Sequence, residues 1–244
     1  MSEREGRGER RSGSQETCPA RLTGAFRRRE DEMEMAAWTT VVLGGARSGK
    51  SAVAEQLAGR VARTMGHQVW YLATALAPDP GDVDWSERIA AHRARRPATW
   101  TTVEVAGAGD LARRLRAVPG VALVDSLGSW VVSSSFAAAG PSPAASGAGD
   151  TAGAGDTAGA RALLVEVEGL CSALRQRRER QLATVVVGEE VGLGVHPATE
   201  PGRRFRDILG TVTQEVAAAA DQVVLVVAGR VLVLPTADEV FGAQ

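Results

Sequence analysis

The run Gly44-Gly45-Ala46-Arg47-Ser48-Gly49-Lys50-Ser51 fits the pattern G-x-x-x-x-G-K-[ST], and its residue types dictate a chemistry. Glycines at 44, 45 and 49 let the backbone curl until its N–H groups face a polyphosphate. A helix opening at the end of the run adds the partial positive charge of its N-terminus. In such a loop Lys50 reaches the β and γ phosphates, and the Ser51 hydroxyl ligates the Mg2+ that the phosphates largely hold. Lys50 is the only lysine of the chain, every other basic residue being arginine. A composition that otherwise avoids lysine has one where a compact ammonium, rather than a planar fork, suits a phosphate. The competing reading is a Gly-rich turn that matches by chance.

Two further stretches carry reactive side chains. Val121-Ala122-Leu123-Val124-Asp125 is an apolar run ending in an acid, the arrangement that orients Mg2+ or its waters beside a phosphate loop. The same letters also serve as a plain turn-starting cap. From Glu87 to Glu104 the chain concentrates His92 with Arg88, Arg93, Arg95 and Arg96. Arginines there suit the charge of a transferring phosphate, and a neutral imidazole among them can attack phosphorus. A solvated helix face with a capping histidine fits equally.

These residues need elements to position them, and the hydrophobic pattern supplies strand and helix in alternation. Thr39 to Leu43 reads as a buried strand. The helix after the loop repeats Val53, Leu57 and Val61 at four-residue spacing. Val69 to Ala73, Val121 to Val124 and Thr184 to Val187 read as parallel strands, with helices over about Arg161 to Leu182 and Arg203 to Ala220. Gln222 to Val227 and Val231 to Leu234 flank Ala228-Gly229-Arg230 as an antiparallel edge hairpin. The expectation is an α/β, three-layer, RecA-like phosphate-loop fold with right-handed crossovers. Residues 1–37, rich in Arg, Glu, Gly and Ser, are expected to be disordered ahead of a catalytic domain over 38–244. Met33 and Met35 each offer an alternative start of translation. Ala137 to Ala160, with its AGDTAGAGDTAGA repeat, reads as a flexible insertion.

Composition removes several function classes. The chain has 244 residues, and 28 Lys+Arg against 29 Asp+Glu leave a net charge of -1. No overall basic field draws it to nucleic acid or an anionic membrane. Two cysteines and three scattered histidines supply neither a disulfide framework nor a zinc site. Such sparse cysteine usage fits a reduced, cytoplasmic compartment, and no run is long and apolar enough for a membrane span.

The sequence resembles the bifunctional adenosylcobinamide kinase/adenosylcobinamide-phosphate guanylyltransferases of cobalamin biosynthesis. The resemblance runs from about Thr40 to Leu234. It rests on GGARSGKS at 44–51, YLATA at 71–75, the RI..HR..RP..W.T.E pattern from Arg88 to Glu104, and the apolar-Asp run followed by Trp130. EVGLGVHP at 190–197, GRRFRD at 202–207 with Gly210 and Gln214, and AADQVVLVVAGR at 219–230 continue it in the family's order. It implies phosphorylation of the aminopropanol hydroxyl of adenosylcobinamide by ATP or GTP. Transfer of GMP from GTP to that phosphate then follows, through a guanylylated histidine. His92 is the candidate, because Ala91 stands where members of the family can carry an adjacent histidine. Nucleotide contacts are implied at the loop residues Gly44 to Ser51, at Thr74, Ala75 and Leu76, at Arg93, Ala94, Arg95 and Arg96, and at Glu104 and Asp125. Mg2+ falls to Ser51 and Asp125, partly through water. A homotrimer acting on a corrinoid is implied, with no nucleic-acid partner and no membrane insertion. Three positions depart from the family's pattern: Glu189 stands for Asn, Ser126 for Cys, and Thr213 for Asn. Glu189 is expected to place a negative charge near a strand end where phosphates bind. Two other readings remain: a simple phosphate-loop kinase or NTPase with the His92 segment as a lid, and a RecA-like nucleotide-gated binding module. The near-neutral charge and lack of a basic, aromatic stripe count against the module.

Overall fold

The strands form where β-branched and apolar residues can bury both faces. The computed structural model describes residues 39–75, 83–107, 109–139 and 152–242. In chain order these are β1 (Thr39–Gly44), α1 (Lys50–Met65), β2 (Val69–Ala73), α2 (Val83–Arg95), β3 (Thr101–Glu104), α3 (Asp110–Ala117), β4 (Val121–Asp125) and α4 (Leu127–Ala139). After them come α5 (Ala152–Glu179), β5 (Thr184–Glu189), α6 (Glu200–Ala218), β6 (Gln222–Val227), β7 (Arg230–Leu234) and α7 (Ala237–Phe241). The sheet order is β3-β2-β4-β5-β1-β6-β7, parallel except for the β6–β7 pair. The phosphate-loop strand β1 is therefore separated from the Asp125 strand β4 by β5, as a RecA-like order requires.

Alternation along the strands splits the buried side chains between two layers. Val41, Leu43, Leu72, Val124 and Val186 join one core with Leu170, Leu174, Leu209 and Trp130. Val42, Tyr71, Leu123, Val185 and Val187, also buried, turn the other way, where α1 packs across the sheet with Ala54, Ala58 and Val61. On the first face α3, α4, α5 and α6 pack on one another. The expected three layers are present, and so is the edge hairpin.

The structure differs from the sequence expectation in two places. Thr101–Glu104 is an edge strand paired with β2; Thr101 and Val103 are half-buried and Thr102 and Glu104 exposed, so it lacks the apolar run that marks the others. Helix α5 starts at Ala152, not near Arg161, so 152–160 is helical rather than a flexible insertion. Once Leu163, Val167, Leu170 and Leu174 anchor the helix in the core, each added residue needs only one more hydrogen bond. Residues 1–37, Leu76 and 140–151 lie outside the described residues. Among those described, no helix is long and apolar enough to cross a membrane.

One buried cation ties the layers together. Arg177 of α5 is 0% exposed, and its five N–H donors all find acceptors. Nη1 donates to the carbonyls of Leu115 and Val118, Nη2 to those of Gly120 and Ala183, and Nε to the Thr184 hydroxyl. Burial, with Arg180 nearby, lowers its pKa to about 10.

Candidate active site

The phosphate loop is held in shape before any ligand arrives. Gly49 has φ 93°, a conformation that side chains resist. A Cβ on Gly44 would meet the Val226 carbonyl at 2.8 Å, so only glycine fits between β1 and β6. The Lys50 ammonium is buried and donates to the Gly45 carbonyl at 3.3 Å, bridging the loop's mouth. From outside, the Gly229 N–H of the hairpin turn donates to the Ser48 carbonyl at 2.9 Å. Helix α1 starts at Lys50 and carries no acidic residue in its first turn, leaving its N-terminal field free for an anion.

Asp125, at the end of β4, is the electrostatic centre. Tyr71 pairs with Leu123 in the sheet, so Asp125, two residues on, shares its face. The Tyr71 hydroxyl donates to Asp125 Oδ2 at 2.7 Å, and His92 Nδ1 stands 3.6 Å from the same oxygen. Burial works against ionisation of Asp125. His92 alongside, the hydrogen bond from Tyr71 and the nearby Lys50 ammonium outweigh it and hold the carboxyl below its usual range. Tyr71 is pushed far above the ordinary phenol range by burial and by that carboxylate. The Arg96 guanidinium lies 3.3 Å over the Tyr71 ring.

Helix α2 brings His92 to this point, and its arginines fasten it to two other elements. Arg95 makes a forked pair with Glu55 of α1, and Arg93 pairs with Glu104 of β3 at 3.3 Å. Ligand atoms of Glu55, His92 and Asp125 lie within 4.8 Å of one another. Glu55 and Tyr71 were not singled out by the sequence. Glu55 stands four residues after Ser51, one helical turn along, and Tyr71 is the chain's lone tyrosine on a buried strand.

Thr74 reaches the site as a brace between strands. Its hydroxyl donates to the Ser126 carbonyl and accepts from the Ser126 N–H, both at 2.7 Å. Ala75 follows it at the strand's end, and Ala94 is exposed on α2 without a polar partner to offer.

The departures at Glu189 and Ser126 share a local explanation. Glu189 Oε2 accepts from the Gly128 N–H at 2.8 Å, and the Ser126 hydroxyl lies 3.5 Å from the Ser129 N–H. Both oxygens cap the N-terminus of α4, so the Glu189 charge is spent on a helix end rather than set against a phosphate. Glu189→Ala is accordingly expected to lower stability by about 1 kcal/mol in urea unfolding, with nucleotide affinity unchanged. A marked gain in nucleotide affinity would instead show that the carboxylate opposes the phosphates.

A closed phosphate loop on a parallel sheet, facing a buried acid, defines a phosphate-loop nucleotide-binding protein. The family model described as cobinamide kinase / cobinamide phosphate guanyltransferase matches residues 40–234. A bifunctional adenosylcobalamin biosynthesis protein of Pseudomonas aeruginosa, CobP, is 37% identical over 190 residues, 78% of this chain and 92% of the relative. The CobU proteins of Salmonella typhimurium and Escherichia coli are each 35% identical over 190 residues, 78% of this chain and 95% of theirs. The chain belongs to the cobinamide kinase / cobinamide phosphate guanyltransferase family.

Proposed function

We propose that this chain phosphorylates adenosylcobinamide with ATP or GTP and then transfers GMP from GTP to the product through a guanylyl-His92 intermediate. The observation that carries the second step is the 3.6 Å approach of His92 Nδ1 to Asp125. With its Nδ1 side turned to a buried carboxylate, the ring keeps the Nε2 lone pair for attack. Nε2 forms a bond to the α-phosphorus of GTP while the bond to pyrophosphate breaks. A phosphate oxygen of adenosylcobinamide phosphate then attacks that phosphorus, and the P–N bond breaks.

In the first step the aminopropanol hydroxyl attacks the γ-phosphorus and the nucleoside diphosphate leaves. Lys50 and the loop's N–H groups, Gly44 to Ser51, neutralise the phosphates. Arg93 and Arg96, on α2 and just after it, serve the phosphates, while Thr74, Ala75, Ala94, Arg95 and Glu104 border the nucleotide. The Ser51 hydroxyl and the Asp125 carboxylate are hard oxygen donors of the kind Mg2+ takes, and Asp125 is held ionised, so the residues fit that ion. When bound it supplies further charge neutralisation across the phosphates. The homotrimer is carried over from the family resemblance, and the cytoplasmic setting from the chain's cysteine usage.

Incubation with GTP labelled in the α-phosphate tests the reading. Label should stay on the denatured protein in an acid-labile, base-stable bond; an unlabelled protein sinks the covalent route and leaves the simple kinase. Lys50→Ala is expected to slow both reactions by roughly 10²-fold or more, because one loop serves both. Normal kinase turnover in that variant would remove the loop from the active site.

A further inference from the structure

Helix α2 carries His92, yet little of that helix is built into the fold. Among its described side chains none is buried, Ile89 is only half-covered, and α2 packs lightly on the other elements. An element with so few buried contacts is easily displaced, so its polar tethers decide where it rests.

Those tethers differ in worth. Arg93 and Glu104 are 63% and 77% exposed, and solvent weakens such a pair. Arg96 lies over the Tyr71 ring, but just past the helix end. Arg95 donates to Glu55 of α1 through both Nε and Nη2, at 3.4 and 3.3 Å, and the Glu55 side chain is only 12% exposed. Two bonds from a planar fork fix direction as well as distance, and the cover over the carboxylate reduces screening.

Spacing links this fork to the nucleophile. Arg95 is three residues after His92, so the two project from one face of α2. Glu55 is four residues after Ser51, so it projects from the face of α1 that carries the phosphate-loop serine. The fork therefore joins the histidine face of one helix to the Ser51 face of the other, and ligand atoms of Glu55, His92 and Asp125 gather within 4.8 Å.

We propose that Glu55 is a positioning residue for guanylyl transfer: by gripping Arg95 it sets the rotation and height of α2, so that His92 Nε2 faces the α-phosphorus while Nδ1 stays beside Asp125. This rests on the guanylyl-His92 reading above. Glu55 acts through Arg95 and does not itself touch the nucleotide, while Arg95 keeps Nη1 outside the fork.

Labelling by α-labelled GTP reads the placement of His92, and displacing a reacting group by about 1 Å is worth roughly 10²-fold in rate. Glu55→Ala should slow labelling at saturating GTP by about 30-fold or more, with the half-saturating GTP concentration moved by less than about threefold. Phosphorylation of adenosylcobinamide, which needs no attack by His92, should fall far less. Glu55→Gln keeps the reach and an acceptor oxygen and should lose only about three- to tenfold in labelling. Such a part-exposed pair adds little to folding, so Tm should move by no more than about 3 °C. In the double variant Glu55→Ala/Arg95→Ala the labelling rate should match that of Arg95→Ala alone, since Glu55 then has nothing to grip. Labelling within about threefold of the parent in Glu55→Ala overturns the proposal, and so do losses that multiply in the double variant. Recovery of Glu55→Ala in excess Mg2+ also overturns it, by making Glu55 an ion ligand, as does a joint fall of labelling, phosphorylation and Tm. If the parent protein takes no label, the guanylyl-His92 reading fails first, a result distinct from all of these.

Discussion

His92→Ala is expected to abolish protein labelling from α-labelled GTP and to stop formation of adenosylcobinamide-GDP, a loss of roughly 10³-fold or more, while phosphorylation of adenosylcobinamide persists. The split follows from what each reaction needs. Phosphoryl transfer requires in-line placement and charge neutralisation, which the loop and the neighbouring arginines supply without a covalent bond to the enzyme. Guanylyl transfer through the protein requires a lone pair beside the α-phosphorus, and His92 is the imidazole brought to Asp125. His92→Asn should behave alike, since an amide has a similar shape and no nucleophilic nitrogen. If His92 merely packed α2 against the sheet, both activities would fall together with Tm. Retained labelling in either soluble variant removes His92 as the nucleophile.

Arg177→Met should destabilise the protein by about 3–5 kcal/mol, seen as a lower urea midpoint with little change in slope. Methionine has a comparable length and fills the space, so the loss reports hydrogen bonding rather than a cavity. The partners left behind are mostly backbone carbonyls, at Leu115, Val118, Gly120 and Ala183, which no side-chain change can remove. Each stays buried without a donor. Arg177→Lys should recover little, because three donors on one nitrogen cannot serve acceptors arranged around a planar fork. A loss below about 1 kcal/mol in Arg177→Met would show that water replaces the guanidinium.

What the sequence disclosed depended on how locally each feature is encoded. The phosphate loop was legible because eight adjacent residues specify it, and its flanking strand and helix have the periods 2 and 3.6 that buried elements show. Strand β3 was hidden because an edge strand with one half-buried valine carries no such period. The first turns of α5 were hidden because their helicity is propagated from a buried stretch further on. Among site residues, His92, Asp125 and Lys50 stood out by type. Tyr71 and Glu55 matter through partners 54 and 40 residues away, Asp125 and Arg95, and no local pattern announces such pairs. Glu189 shows the reverse: its type suggested a conflict with phosphate, and only the distance to Gly128 reveals a helix cap.

The strand between β1 and β4 has a further geometric effect. With neighbouring strands about 4.8 Å apart, that single insertion holds the acid about 10 Å sideways from β1, the strand that leads into the phosphate loop. The register adds depth: Asp125 is level with Val187, and Val187 with Val42, which precedes Gly44 by two residues, or about 7 Å of strand. Asp125 is thus set one step back from the end of β1, and a phosphate resting on the loop would sit above that step. Such a step has the depth of a flat ring or a hydrated ion rather than of a single atom. On the function proposed above, both transfers would take turns over this one step.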